Sequence, residues 1–334
     1  MDSGLDRITG MARGYAASQL LFTAVRLEVF GELRGGALSG RELRRRVGLH
    51  PRGAAAFLDA LVAHGLLERT GEMYANSPAA ARHLDPAESG TYLGARLSLE
   101  SKLYWLWPSL GESLRTGRPC AAMPEEGGGE EAEPTEWSED YIGAMEPLAR
   151  TAGRSIARAL DWTRYGSFVD VGGANGTLAF ELVREHPRLR GTCFDLPQLR
   201  GAFEEAAAGR PWAAVDFAAG DFFTDPLPEA DVAVLGRILH NWAAPDRMKL
   251  LGHVHSALRP GGAVVLFDLL IDEHRRSGDK ALMSALDQLL FAEGGGEYTF
   301  GELSGWLGAA GFRDPVAQPL GDGPESLVVA FRSD

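Results

Sequence analysis

Beyond residue 148 the chain alternates short apolar runs with amphipathic helical stretches, and this alternation constrains the fold more than any other feature. Strand patterns are expected at Ser167–Val171, Gly191–Phe194, Val215–Ala218, Asp231–Leu235 and Ala263–Asp268. Helical spacing falls between them, at Leu148–Leu160, Leu178–Glu185, Gln198–Ala207 and Arg247–Leu258. Strands joined through helices run parallel, with helices covering both faces of the sheet. Helices at Lys280–Phe291 and Phe300–Ala310, then strands near Pro315–Pro319 and Ser326–Phe331, complete an expected α/β, Rossmann-like, doubly wound unit.

The first third reads differently. Apolar residues recur at helix spacing from Tyr15 to Leu33. Ser39 suits an N-cap with Glu42 as its capping-box partner, and Pro51 opens a second helix through His64. Leu66–Arg69 and Glu72–Ala75 can pair around Thr70-Gly71, and two short helices followed by a hairpin describe a winged helix. Its second helix, PRGAAAFLDALVAH, would be the one entering a major groove. With one arginine and many alanines it cannot read base edges, despite the Arg41–Arg46 cluster nearby. The segment is therefore expected to serve packing or dimerisation. Tyr92–Leu114 should be helix that bridges the halves, giving a winged-helix domain over 1–95 and a catalytic domain over 96–334.

Charge supports this exclusion. With 33 Lys and Arg against 46 Asp and Glu, the net charge of −13 repels phosphate backbones and anionic lipid. No apolar run of about 18 residues occurs, and no basic leader precedes an apolar core, so neither membrane nor secretory targeting is expected. Two cysteines, Cys120 and Cys193, provide neither a disulfide framework nor a cysteine-based metal site, and a cytoplasmic location is the expectation. Residues 124–136, PEEGGGEEAEPTE, should form a solvated loop.

The chemistry gathers at the strand ends. Val169-Asp170-Val171-Gly172-Gly173-Ala174-Asn175-Gly176 joins a strand to a helix, the setting in which a glycine-rich turn meets a nucleotide. The GxGxxG spacing of a dinucleotide fold is not met. An acidic residue read here as part of the turn suits a ligand with an amino-acid tail and a ribose. Asp195 follows in Phe194-Asp195-Leu196-Pro197, about 20 residues beyond the glycines, where an acidic side chain grips a ribose diol; a helix cap is the plainer alternative. Gly220-Asp221-Phe222-Phe223 ends the third strand, offering a carboxylate and an aromatic face to adenine. His240 lies beyond the fourth strand, at the ligand-facing edge, and can take up a proton near neutral pH.

These pieces, DVGGANG, FDLP, GDFF, LHNW and the later GGGEYTF, resemble the O-methyltransferase family that includes plant caffeate and acetylserotonin enzymes and bacterial natural-product tailoring enzymes. The likeness spans nearly the whole chain, with residues 145–312 resembling the catalytic domain. It implies S-adenosylmethionine as cofactor. Asp170, Gly172 and Gly176 would hold its methionine part, Asp195 the ribose, and Asp221 with Phe222 the adenine. Gly173, Leu196, Gly220, Arg237 and Trp242 complete the implied cofactor set. His240 matches the family's base, flanked by Asp268 and Glu297, while Met145, Met283, Asp287 and Phe291 are candidate acceptor-pocket residues. No metal is implied; His253 and His255, two apart on a helix, face different ways. A homodimer through the N-terminal domain and a hydroxylated aromatic acceptor are the implied partners.

Three positions depart from the family pattern. Ala174 replaces its middle glycine, Asn241 an aspartate, and Gly236 a lysine. Arg237 offers a replacement cation, although neighbouring strand positions face opposite ways. The other readings open at this point are N- or C-methylation, cofactor-assisted decarboxylation or hydroxylation, and a ligand-sensing regulator.

Overall fold

A computed structural model describes residues 3–88, 91–120, 136–208 and 214–333. The acidic stretch expected to be a loop lies outside these residues, except for Glu136, where a helix begins. The chain divides into two compact units, residues 1–104 and 105–334. Among the described residues no helix is long and apolar enough to cross a membrane.

In the first unit the periodicity from Tyr15 to Leu33 resolves into two helices, Ser3–Arg26 and Val29–Glu32. Glu28 breaks them, with a left-handed backbone at φ 56°. Ser39 caps helix Gly40–Val47 by accepting from the Glu42 N–H at 3.2 Å. The reciprocal half of the expected capping box is absent, because the Glu42 carboxylate is taken by Arg45 and Arg46. Helix Pro51–Ala63 follows, and strands Leu67–Thr70 and Met73–Asn76 pair with Thr70 opposite Met73. The turn thus falls on Gly71-Glu72, one residue later than expected. Leu38–Ser39 adds a third strand, and helix Gly94–Leu103 ends this unit.

The second unit carries a seven-stranded sheet. Its strands are β1 (Ser167–Val171), β2 (Arg190–Asp195), β3 (Val215–Ala219), β4 (Ala230–Gly236), β5 (Leu258–Asp268), β6 (Phe312–Pro319) and β7 (Ser326–Arg332). The spatial order is β6-β7-β5-β4-β1-β2-β3. β1 to β5 are parallel, and β7 runs antiparallel between β5 and β6. After a short helix at Leu110–Thr116, the helices are α1 (Glu136–Ala159), α2 (Thr177–Glu185), α3 (Arg200–Ala207), α4 (Ala244–Ala257), α5 (Asp279–Phe291) and α6 (Phe300–Ala309).

Side chains alternate across a strand, and this divides the core in two. Phe168, Cys193, Val232, Val234, Val265 and Phe267 pack beneath α1, α2 and α3. Val169, Val171, Ala233, Leu235, Val264 and Leu266 pack beneath α4 and α6. Both faces are covered, so the central strands read as continuous apolar runs. The carboxyl ends of β1 to β5 are left as the edge on which polar groups can gather. One element escaped the sequence pattern: Leu270–Ile271 pairs in parallel with Tyr298–Thr299. Two residues are too few to show a period.

Candidate active site

The turn after β1 is crowded. Gly172 and Gly176 both take φ 73°, where only glycine avoids a steric penalty. A Cβ on Gly172 would come within 2.3 Å of Ile238, and one on Gly173 within 2.8 Å of Asp170 Oδ2. Ala174 also has a left-handed backbone, at φ 49°. The substitution at the family's middle glycine thus stores about 1 kcal/mol of strain.

Asp170 belongs to β1 itself, paired with β2 and β4, and not to the turn as expected. It is buried, and its Oδ2 has no hydrogen-bond partner. Burial, reinforced by the neighbouring Asp195, pushes its pKa up to about 7. Asp195, at the end of β2, accepts from the Ala174 N–H at 2.7 Å and the Leu196 N–H at 2.8 Å. Burial raises it to about 6 against the pull of those two donors.

Beyond β3, a Cβ on Gly220 would strike the Phe194 ring at 2.6 Å, so the backbone closes tightly there. Asp221 accepts from the Phe223 N–H at 2.8 Å. The Trp242 ring stands edge-on to Phe222 and Phe223, with centroids 5.8 and 4.6 Å away. An orphaned buried carboxylate oxygen suits an ammonium group. With a second carboxylate one strand over, an aromatic cluster on the next and a turn lacking room for side chains, these residues fit S-adenosylmethionine.

A second cluster lies beyond β4 and β5. His240 sits on a single 3-10 turn, Leu239–Asn241, and is buried. Its Nδ1 is 3.0 Å from Glu297 Oε1 and 2.9 Å from Gln288 Nε2, and its Nε2 is 2.9 Å from the Arg237 carbonyl oxygen. Glu297 Oε1 also accepts from Ser284 at 2.7 Å and Arg237 at 3.1 Å. Burial pushes Glu297 upward, but His240, Arg237 and Ser284 outweigh it and hold the pKa below the ordinary value. Asp268 accepts from the Tyr298 hydroxyl at 2.5 Å, and its burial raises its pKa.

Arg237, expected toward the cofactor, has φ 58° and directs its guanidinium to Glu297, 4.0 Å from Asp268. Atoms of His240, Asp268 and Glu297 lie within 4.8 Å of one another, close enough for a cation. The Arg237 guanidinium already supplies positive charge there. His253 and His255 diverge, one bonding the Phe222 carbonyl and the other packing on Phe312.

Gly236 is explained by its neighbour: a Cβ there would lie 2.1 Å from the Phe267 ring, so the family's lysine has no room. Met145 lies partly buried on α1. On α5, Asp287 and Phe291 are partly buried, and Met283 is 48% exposed. Ser284 and Gln288, which touch the His240 cluster, were missed. Their four-residue spacing on α5 was the available signal. Tyr298 and Arg247 were missed too, the former although it lies inside GGGEYTF.

A doubly wound sheet with carboxylates within or just past the carboxyl ends of its first three strands and a buried histidine beyond its fourth has the layout of an S-adenosylmethionine-dependent methyltransferase. Comparison with known proteins narrows the class. The family model of the O-methyltransferase domain matches residues 109–313, and that of the O-methyltransferase dimerisation domain matches residues 10–86. The chain is 47% identical over 328 residues to the tetracenomycin polyketide synthesis 8-O-methyl transferase TcmO of Streptomyces glaucescens, covering 96% of this chain and 95% of that one. It is 38% identical over 269 residues to the N,N-dimethyltransferase OxyT of Streptomyces rimosus, covering 78% and 77%. Human N-acetylserotonin methyltransferase, solved with S-adenosylmethionine, superposes with a TM-score of 0.87 at 27% identity, over 100% of this chain and 99% of that one. The chain belongs to the O-methyltransferase family.

Proposed function

We propose that the enzyme methylates a phenolic hydroxyl of a polycyclic aromatic metabolite, with His240 as general base. The observation that carries this reading is His240 Nδ1 held 3.0 Å from Glu297. Bound S-adenosylmethionine would supply an electrophilic methyl group. Asp170 would face the cofactor's ammonium group, Asp195 the ribose, and Asp221, Phe222 and Trp242 the adenine. The acceptor hydroxyl would displace the Arg237 carbonyl from His240 Nε2 and give up its proton there. Glu297, ionised below its ordinary range, would stabilise the imidazolium through Nδ1–H. Asp268 and the guanidinium of Arg237 would fix that carboxylate's surroundings.

The polycyclic acceptor rests on the similarity to TcmO, which extends over 96% of the chain. A second reading, methylation of an amine, is favoured by the similarity to OxyT. An amine acceptor depends less on a base, so the two readings separate at His240.

The test is methyl transfer from S-adenosylmethionine to polyhydroxylated anthraquinones and to their amino analogues, followed by mass spectrometry. Transfer to oxygen is expected, with His240→Ala lowering kcat by roughly 10²–10⁴-fold at unchanged S-adenosylhomocysteine affinity. Transfer only to nitrogen, or a near-normal His240→Ala, would replace the first reading with the second.

The homodimer draws support from the helix Ser3–Arg26. Leu5, Ile8, Met11 and Tyr15 share one face of it and are 59%, 65%, 78% and 60% exposed. An apolar stripe of this kind in a dimerisation domain suits a second copy of the chain.

A further inference from the structure

One buried cation has no part in the steps above. Arg247 on α4 is buried, yet its hydrogen-bond partners are carbonyl oxygens rather than carboxylates. Its Nε donates to the Trp242 carbonyl at 2.7 Å and its Nη2 to the Gly296 carbonyl at 2.5 Å. The guanidinium carbon lies 4.8 Å from the centre of the Tyr298 ring and 4.9 Å from that of Trp306.

These contacts bracket the reaction centre. Trp242 follows His240 by two residues, and Gly296 immediately precedes Glu297. The Gly296 N–H donates to the His240 carbonyl at 2.7 Å, so Gly296 is pinned at both ends, once by His240 and once by Arg247. The Tyr298 ring beneath the guanidinium carries the hydroxyl that bonds Asp268. One side chain on α4 therefore touches the segments that carry His240 and Glu297, and the tyrosine that holds Asp268.

Space filling does not account for this. A leucine or methionine would fill the volume without burying a charge, which is expensive. The planar fork of a guanidinium is the group that can hold two carbonyls at a fixed separation while stacking on a ring. We infer that Arg247 is a positioning residue, which sets the spacing between His240 and Glu297 by clamping the Trp242 and Gly296 carbonyls while it rests on Tyr298. The inference rests on the reading of His240 as base. The ionisable groups whose charge it feels are Tyr298, Asp268, Glu297 and Glu302.

The test compares wild type with Arg247→Met and Arg247→Lys by thermal melting, S-adenosylhomocysteine calorimetry, kinetics on a polyhydroxylated anthraquinone and proton NMR. The far-downfield resonance of the His240 ring N–H, assigned by its loss in His240→Gln, reports the bond to Glu297 without turnover. In Arg247→Met that resonance should vanish and kcat fall roughly 10²-fold, with KM and S-adenosylhomocysteine affinity within about threefold of wild type. Arg247→Lys, which keeps the charge and loses the fork, should recover the resonance and about tenfold of the lost kcat. A folded Arg247→Met with the wild-type resonance and kcat overturns the inference. So does a parallel fall in kcat and S-adenosylhomocysteine affinity, which marks general loosening. Should Arg247→Met not fold, Arg247→Lys decides: a fall in kcat of about tenfold at unchanged affinity supports the clamp, and wild-type kcat overturns it. Because the resonance is independent of chemistry, an inactive wild type would count against the base reading and leave the clamp to be judged by NMR.

Discussion

At the scale of single residues, the site trades stability for binding. Asp170 is buried with one oxygen unpaired, and burial raises its pKa to about 7. The folded chain thus holds this proton more tightly than the unfolded chain does. Stability from this group is full below the unfolded value, near 3.8, and is lost as pH rises toward 7. Asp195, raised to about 6, acts in the same direction. Asp170→Asn should remove its share of the loss, on the order of a few kcal/mol. The melting temperature of the unliganded variant should then fall less than that of wild type between about pH 5 and 8. Its affinity for S-adenosylhomocysteine should drop at least about tenfold at pH 8, since the carboxylate that would meet the ammonium is gone. Melting curves across pH, with and without that ligand, check both halves. Parallel curves for variant and wild type would remove Asp170 from the account.

At the scale of elements, β4 and β5 pair Gly236 with Phe267, and the ring fills the space that a side chain at 236 would need. Gly236→Ala should therefore destabilise the enzyme by about 1–3 kcal/mol through overpacking. Combining it with Phe267→Leu should cost less than the two single changes added together, because the smaller side chain makes room. Chemical denaturation of the two single variants and the double variant measures that coupling; simple additivity would show the contact to be unimportant. The same pair shows where sequence reading stops. The glycine was legible as a departure, but its reason stands on another strand and leaves no local pattern. Arg237 shows the limit again, because its guanidinium turns to Glu297, 60 residues away in sequence, and no local pattern names that partner. β1, β4 and β5 were legible because both their faces are buried, and β2 and the half-exposed edge strand β3 because they alternate with helical stretches. The carboxylates Asp170, Asp195 and Asp221 were legible because they recur at strand ends. Arg247 was not, and of Ser284 and Gln288 only the four-residue spacing was, since polar residues inside helices take their meaning from what packs against them.

At the scale of the whole molecule, the first unit presents Leu5, Ile8, Met11 and Tyr15 on one helix face. Replacing Ile8 and Met11 together by Glu should convert the proposed dimer to monomer, as light scattering would show. Burying two carboxylates against a second apolar face costs several kcal/mol. S-adenosylhomocysteine affinity should survive, because every residue assigned to the cofactor lies in the second unit. A wild type that is already monomeric would dispose of the proposal.

The order of the sheet has a consequence for how the chain reaches this state during synthesis. β7 is made after every other strand, yet it lies between β5 and β6, with Ser326–Phe331 opposite Ala263–Asp268. Until residues 326–332 are free to pair, β5 presents a row of unsatisfied backbone N–H and C=O groups, the kind of edge that recruits other chains. The newly made enzyme should therefore depend on chaperone protection until β7 has docked. Shortening the chain before Ser326 should yield aggregates rather than a smaller active protein.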